Sequence, residues 1–125
     1  MNRIANTFKV LADETRLRIL LLLYQEDLCV CEISGILEIP QPRVSQILAK
    51  FRDMELVTDK RKEKYIFYSL KEENVTLLNI LNWIYKDISC YPQLAADREG
   101  IKDKEIYLSR CALSKKQELP RVVQA

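Results

Sequence analysis

The run Ile19-Leu20-Leu21-Leu22-Leu23 constrains this chain more than any other stretch. Leu17 leads into it, Asp13 stands where it can cap a helix, and Glu14 lies in the first turn, at the positive end of the helix dipole. A helix this continuously apolar does not sit on a surface. Other elements must enclose it on several sides. Even with Tyr24 added, the run is much too short to span a bilayer. A chain of 125 residues is long enough for one compact domain that encloses such a helix, with some length left for a tail.

The enclosing elements follow in order. Ile4, Ala5, Phe8 and Leu11 fall near a helical period over residues 2–11. Leu28 to Leu37 reads as a short third helix interrupted by Gly35, although helix and buried strand are hard to separate over so short a run. Ile39-Pro40-Gln41-Pro42 is a punctuated turn: Pro40 disfavours helical geometry at Ile39, and Pro42 suits the first turn of a new helix. That fourth helix is expected from about Pro42 to Met54. Val44, Ile47, Leu48 and Phe51 should face inward, with Arg43, Gln46, Lys50 and Asp53 on other faces.

Leu56-Val57-Thr58 and Tyr65 to Leu70 then suit strands. Between them, Asp59 to Lys64 forms a charged hairpin tip. It lacks glycine, so a longer loop is expected rather than a tight two-residue turn. Asn74 to Ile88 returns to helical spacing. From Ser89 the sequence is mixed and polar, with short helices expected near 94–98 and 103–113 and a loose end. The predicted fold is mainly α with a small β-hairpin, in the order α-α-α-α-β-β-α. This is a winged helix-turn-helix over residues 1–88, followed by a partly helical C-terminal extension over 89–125.

Composition excludes much chemistry. The chain has no histidine, which removes the commonest general base and the commonest metal ligand together. With only Gly35 and Gly100 there is no glycine-rich phosphate loop. No acid/base pair stands out, so an enzyme is not expected. The net charge of +2 says little about nucleic acid, and the case must rest on where the charges lie. The N-terminus lacks a secretory signal and no membrane span is present, so a cytoplasmic protein with reduced cysteines is expected.

The charges lie where a DNA reader needs them. A recognition helix reaches base edges with residues near its N-terminus. Here these are Gln41, Arg43, Ser45, Gln46 and, a turn later, Lys50. Arginine pairs with guanine, glutamine with adenine, and serine with base or phosphate. The basic residues of the hairpin, Lys60, Arg61, Lys62 and Lys64, suit the backbone or the minor groove, tempered by Asp59 and Glu63. The competing reading is an ordinary solvated surface on a winged helix used only for protein contacts.

The cysteines are Cys29, Cys31, Cys90 and Cys111. They lack zinc-ribbon spacing. Residues i and i+2 point to nearly opposite sides of a regular helix but share a face in an extended segment. Cys29 and Cys31 can therefore bind one ion only where the helix start is irregular or distorts. Otherwise they are two small buried apolar residues.

LADETRLRILLLL, DLCVCEISGIL, IPQPRVSQILAKFRDMELV and DKRKEKYIFYSL resemble, in order, the landmarks of ArsR/SmtB-family repressors. The resemblance covers roughly residues 5–70, and in pattern the helix to about 88. LCVCE is its most specific piece and resembles the metal-binding box of the arsenic- and cadmium-responsive branches. The resemblance implies a homodimeric repressor whose first and last core helices form the interface. It also implies a palindromic double-stranded operator that is released when a metal or metalloid binds.

Three departures narrow the effector. The third box cysteine of many arsenic-responsive members is replaced by Ser34. The N-terminal extra cysteines of cadmium/lead-responsive members are absent, and so are the histidines of zinc- and nickel-responsive ones. No permanently bound cofactor is expected. The implied effector is thiophilic: As(III) or Sb(III) first, Cd(II) or Pb(II) as the alternative, or thiol oxidation in the same fold. Cys29 and Cys31 are its expected ligands, with Cys90 or Cys111 as candidates for a third.

Overall fold

In the computed structural model of the chain the described residues are 2–110; Cys111 and the terminal stretch LPRVVQA lie outside them. Helix α1 (Asn2–Leu11) leads into α2 (Glu14–Gln25). Asp13 caps α2 as its sequence predicts, accepting the Arg16 N–H at 3.0 Å. Ile19 to Leu23 are all 3% exposed or less. They can be so because α1, α3, α5, α6 and strand β3 all pack on α2. Enclosure of this helix organises the rest of the fold.

The third element differs from its sequence reading. Leu28–Cys29 is a short strand, β1, and helix α3 begins only at Val30 and ends at Leu37. The extended pair is held by strand pairing from a distant segment, Leu28 against Tyr68 and Cys29 against Phe67. Helix α4 (Gln41–Asp53) follows, with Pro42 in its first turn. Val44, Leu48 and Phe51 are fully buried, while Arg43, Gln46, Lys50 and Asp53 are exposed, as the helical spacing predicts.

Strands β2 (Val57–Lys62) and β3 (Tyr65–Leu70) form the wing, and the sheet runs β1-β3-β2, antiparallel throughout. The charged stretch expected as a loop is mostly strand. Lys62 pairs with Tyr65, so only Glu63 and Lys64 make the turn. Glu63 takes the left-handed backbone (φ 60°) that glycine would otherwise supply. That costs about 1–2 kcal/mol for an L-residue, which the strand ladder on either side offsets.

Helix α5 (Val75–Lys86) is capped by Asn74, which accepts the Leu77 N–H at 3.2 Å. A 3-10 turn (Ile88–Cys90), α6 (Pro92–Gly100), a second 3-10 turn (Ile101–Asp103) and a helix over residues 104–110, α7, complete the described chain. Leu94 of α6 joins the core. Asp97 is buried and takes two bonds from Arg18 of α2, each 2.9 Å.

Candidate metal centre and nucleic-acid interface

The irregular helix start that the cysteine spacing demands is present. Cys29 is the last residue of β1 and the N-cap of α3, in extended conformation (φ −98°, ψ 171°), and Cys31 lies in the first turn. The pair therefore straddles a strand-to-helix junction rather than opposite sides of one helix. Both are buried, at 3% and 6% exposure, in a small cluster of their own with Tyr65 of the wing, to which Phe67 and Leu108 add cover. Cys29 and Cys90 are free thiols, whereas Cys31 is disulfide-bonded, against the expectation of reduced cysteines throughout.

Two further residues define this junction: Glu32, which the sequence reading passed over, and Ser34, which it noted only as standing where a third cysteine is absent. Glu32 is 2% exposed and accepts the Cys29 N–H through Oε1 at 3.0 Å. A glutamate three residues after an N-cap is a recognisable capping signal, but a cysteine at the cap conceals it. Ser34 donates its hydroxyl to the Ile39 carbonyl. It thereby ties α3 to the turn before α4, so the residue standing in place of a third box cysteine is engaged in the helix-turn-helix itself.

Burial pushes the Cys29 thiol up to about 11 from the ordinary 9.0; the Glu32 backbone N–H opposes this, and the Glu32 carboxylate adds to it. A thiol raised in this way favours the fold at lower pH. That contribution is lost as pH climbs from about 9 through about 11. Reactivity follows the thiolate. Iodoacetamide at pH 8 should therefore label exposed Cys90 while sparing Cys29, which should label only after unfolding or above about pH 11. Peptide mass spectrometry of the alkylated protein reads this directly, and rapid labelling of native Cys29 at pH 8 would contradict it.

The reading elements converge on the same place. A cleft of about 280 Å³ is lined by Cys29, Cys31, Gln41, Ser45, Lys64 and Tyr65, among others. It joins the cysteine pair, the start of α4 and the tip of the wing. On the other side of Cys31 a cavity of about 460 Å³ reaches Ser34, Gln41, Tyr107 and Arg110. Gln41 thus borders both spaces. Arg43, Gln46 and Lys50 are exposed on α4, as is Arg61 on the wing.

The wing's basic residues divide between two faces. Arg61 lies opposite Ile66 in the ladder, on the side where Ile66 and Tyr68 line the cleft. Lys60 and Lys62 line a separate groove of about 380 Å³ with Glu26, Asp27 and Lys104. Asp59 pairs with Arg52 of α4 at 2.8 Å. It therefore fixes the wing to the recognition helix as well as tempering the patch's charge.

The remaining thiol candidates fare differently. Cys90 is exposed in the 3-10 turn after α5. Cys111 lies outside the described residues. Among the described residues no group of three or more Cys, His, Asp or Glu is arranged to hold a metal ion. Nor, among them, is any helix long and apolar enough to cross a membrane.

Comparison with known proteins gives a consistent picture. The family described as "Bacterial regulatory protein, arsR family" matches residues 13–59. Arsenic resistance transcriptional regulator ArsR1 of Pseudomonas putida is 45% identical over 67 residues, which is 53% of this chain and 52% of that protein. ArsR2 of the same organism is 31% identical over 104 residues, covering 82% of this chain and 84% of the relative. In its matches to the 45%-identical curated relatives the chain spans about half their length. Among solved structures, the AntR antimony-specific transcriptional repressor superposes with a TM-score of 0.62 at 27% identity, over 74% of this chain and 82% of that one.

Proposed function

The chain belongs to the arsR family of bacterial regulatory proteins, and from that premise we propose that it is a DNA-binding repressor governed by arsenite or antimonite. In its reduced form Cys29 and Cys31 are the ligands. The observation that carries this reading is the shared cleft, in which both cysteines border Gln41 and Ser45 of α4 and Lys64 of the wing. An ion that draws Cys29 toward Cys31 strains the β1–β3 pairing and the start of α3 together. The strain passes to the wing through Phe67 and Tyr68, and to α4 through the Ser34–Ile39 link. To release DNA the effector must favour the distorted state by several kcal/mol.

Proton balance favours a metalloid over a divalent cation. Trivalent arsenic bound by thiolates gives a neutral complex, and each thiol proton leaves with a hydroxide of arsenous acid as water. Cadmium held by the same two thiolates brings no hydroxide to take up the protons and must displace both outright. The Cys29 thiol is pushed up to about 11, and the carboxylate of Glu32 is buried beside it. Both features disfavour forming a free thiolate here. The relatives named for arsenic resistance and the antimony-specific structural neighbour support the same choice.

DNA recognition is assigned to Gln41, Arg43, Ser45, Gln46 and Lys50 of α4, with Lys60, Arg61, Lys62 and Lys64 of the wing on the backbone. Two copies are expected to join through α1 and α5, where Ile4, Phe8, Val75 and Trp83 are left exposed. Two recognition helices related by such symmetry suit half-sites about 34 Å apart. A palindromic operator and a homodimer are part of the proposal.

Fluorescence anisotropy with random duplex DNA at two salt concentrations, followed by arsenite, tests the reading. Salt-sensitive binding that arsenite reverses is expected. No binding at low salt would instead favour a protein-interaction module. Lys64→Ala should lower the salt slope by about 0.9, the value for one lost phosphate contact. Lys62→Ala should lower it less, since Lys62 shares its groove with Glu26 and Asp27. The disulfide at Cys31 supports a second reading, in which thiol oxidation is the signal. Peroxide and arsenite added separately to reduced protein on DNA distinguish the two.

A further inference from the structure

We propose that Arg110 of α7 binds a DNA phosphate beside the start of α4, a backbone contact supplied from outside the winged helix-turn-helix itself. The inference rests on reading α4 as the DNA-reading helix and adds a contact which that reading does not contain.

Helix α7 is seated on α3, the first helix of the helix-turn-helix. Gly35 is where they touch: a Cβ there would stand 2.2 Å from Cδ1 and 2.8 Å from Cβ of Tyr107. Only a residue without a side chain permits that approach. One residue on, Leu108 packs on the cluster of Cys29, Cys31 and Tyr65. At the entry to α7, Lys104 pairs with Glu26, and Ile101 just before it packs on the core. Anchors at both ends of so short a helix fix its place against α3.

Arg110 is exposed at the far end of this helix. Its guanidinium stands over the Tyr107 ring, 5.8 Å from the centroid, within cation–π range. The tyrosine that seats α7 on α3 therefore also orients the arginine. Arg110 borders the cavity of about 460 Å³ together with Glu38 and Gln41. Glu38 is the C-cap of α3 and Gln41 is the first residue of α4, so the arginine stands at the junction of the two helices. When the second helix of such a motif enters the major groove, the first crosses the DNA backbone. A cation at their junction meets that backbone while Gln41 and Arg43 reach toward the bases.

The charge there is available. Lys102 and Lys104 are engaged by Glu99 and Glu26, whereas Arg110 forms no ion pair among the described residues. Glu38, exposed in the same cavity, tempers the local potential without pairing with it. A guanidinium presents its donors as a planar fork suited to phosphate oxygens. One already held over a ring has less freedom to lose on binding.

The test is fluorescence anisotropy of the reduced full-length protein on labelled duplex DNA across a salt series. Each phosphate contact adds about 0.9 to the slope of log affinity against log salt, so Arg110→Ala should lower that slope by about 0.9 per subunit. Arg110→Lys keeps the charge and should restore most of the slope. Tyr107→Ala removes the seat and the ring; it should weaken binding on its own and add little to Arg110→Ala. Lys102→Ala, a cation already engaged by Glu99, should leave the slope as in wild type. A wild-type slope for Arg110→Ala overturns the inference and leaves α4 as the reader. Weaker binding at an unchanged slope overturns it too, because that marks a structural role. If the wild-type protein fails to bind duplex DNA at low salt, the reading beneath the inference falls with it.

Discussion

Asp97→Ala is expected to destabilise the protein by about 3–5 kcal/mol, because it leaves a buried guanidinium without its carboxylate. Arg18 and Asp97 have side chains only 16% and 5% exposed and meet through two parallel bonds of 2.9 Å. Gln93 donates a third bond to Asp97 at 3.1 Å. The carboxylate, by hydrogen bond and by charge, holds the Arg18 guanidinium above its ordinary range, with burial opposing it. Urea denaturation followed by circular dichroism measures the loss. The apolar pair Arg18→Met/Asp97→Leu should recover most of it, since no charge is then left unpaired. A loss under about 1 kcal/mol for Asp97→Ala would show that water reaches the arginine. The pair joins α2 to α6, and α6 leads into α7.

Cys29→Ser/Cys31→Ser should leave DNA binding intact and abolish its reversal by arsenite, raising the concentration for half-release by more than about 100-fold. Serine nearly preserves volume but removes the soft donor that a metalloid selects. Cys29 contributes no side chain to the hydrophobic heart of the domain; it sits in the separate cluster with Cys31 and Tyr65. The fold should therefore tolerate the change. Anisotropy of labelled duplex DNA during arsenite titration reads the outcome. Release at the wild-type concentration would remove the pair from the mechanism.

Much of the fold was legible in the chain. The run from Ile19 to Leu23, the prolines flanking Gln41, and the helical spacing of Val44, Leu48 and Phe51 act locally, and local rules read them correctly. The hairpin turn was misread because Glu63 adopts a glycine-like backbone that nothing in its own stretch predicts. Leu28–Cys29 was misread because its extended form is imposed by Tyr68 and Phe67, far along the chain.

The candidate site divides the same way. The CXC spacing, and the soft-ion chemistry it offers, are properties of sequence alone, as is the absence of histidine that removes the competing donors. Whether two cysteines at i and i+2 can act together depends on the backbone between them. That backbone is set by a strand ladder closed from the wing. The burial of Glu32, the approach of Tyr107 to Gly35 and the pairing of Arg18 with Asp97 likewise depend on segments brought together from a distance. The sequence determined which soft donors and which basic and polar side chains are available. Only the tertiary structure decided that Cys29, Cys31, Gln41, Ser45 and Lys64 border one cleft, because non-local packing places the start of α3, the start of α4 and the wing against one another.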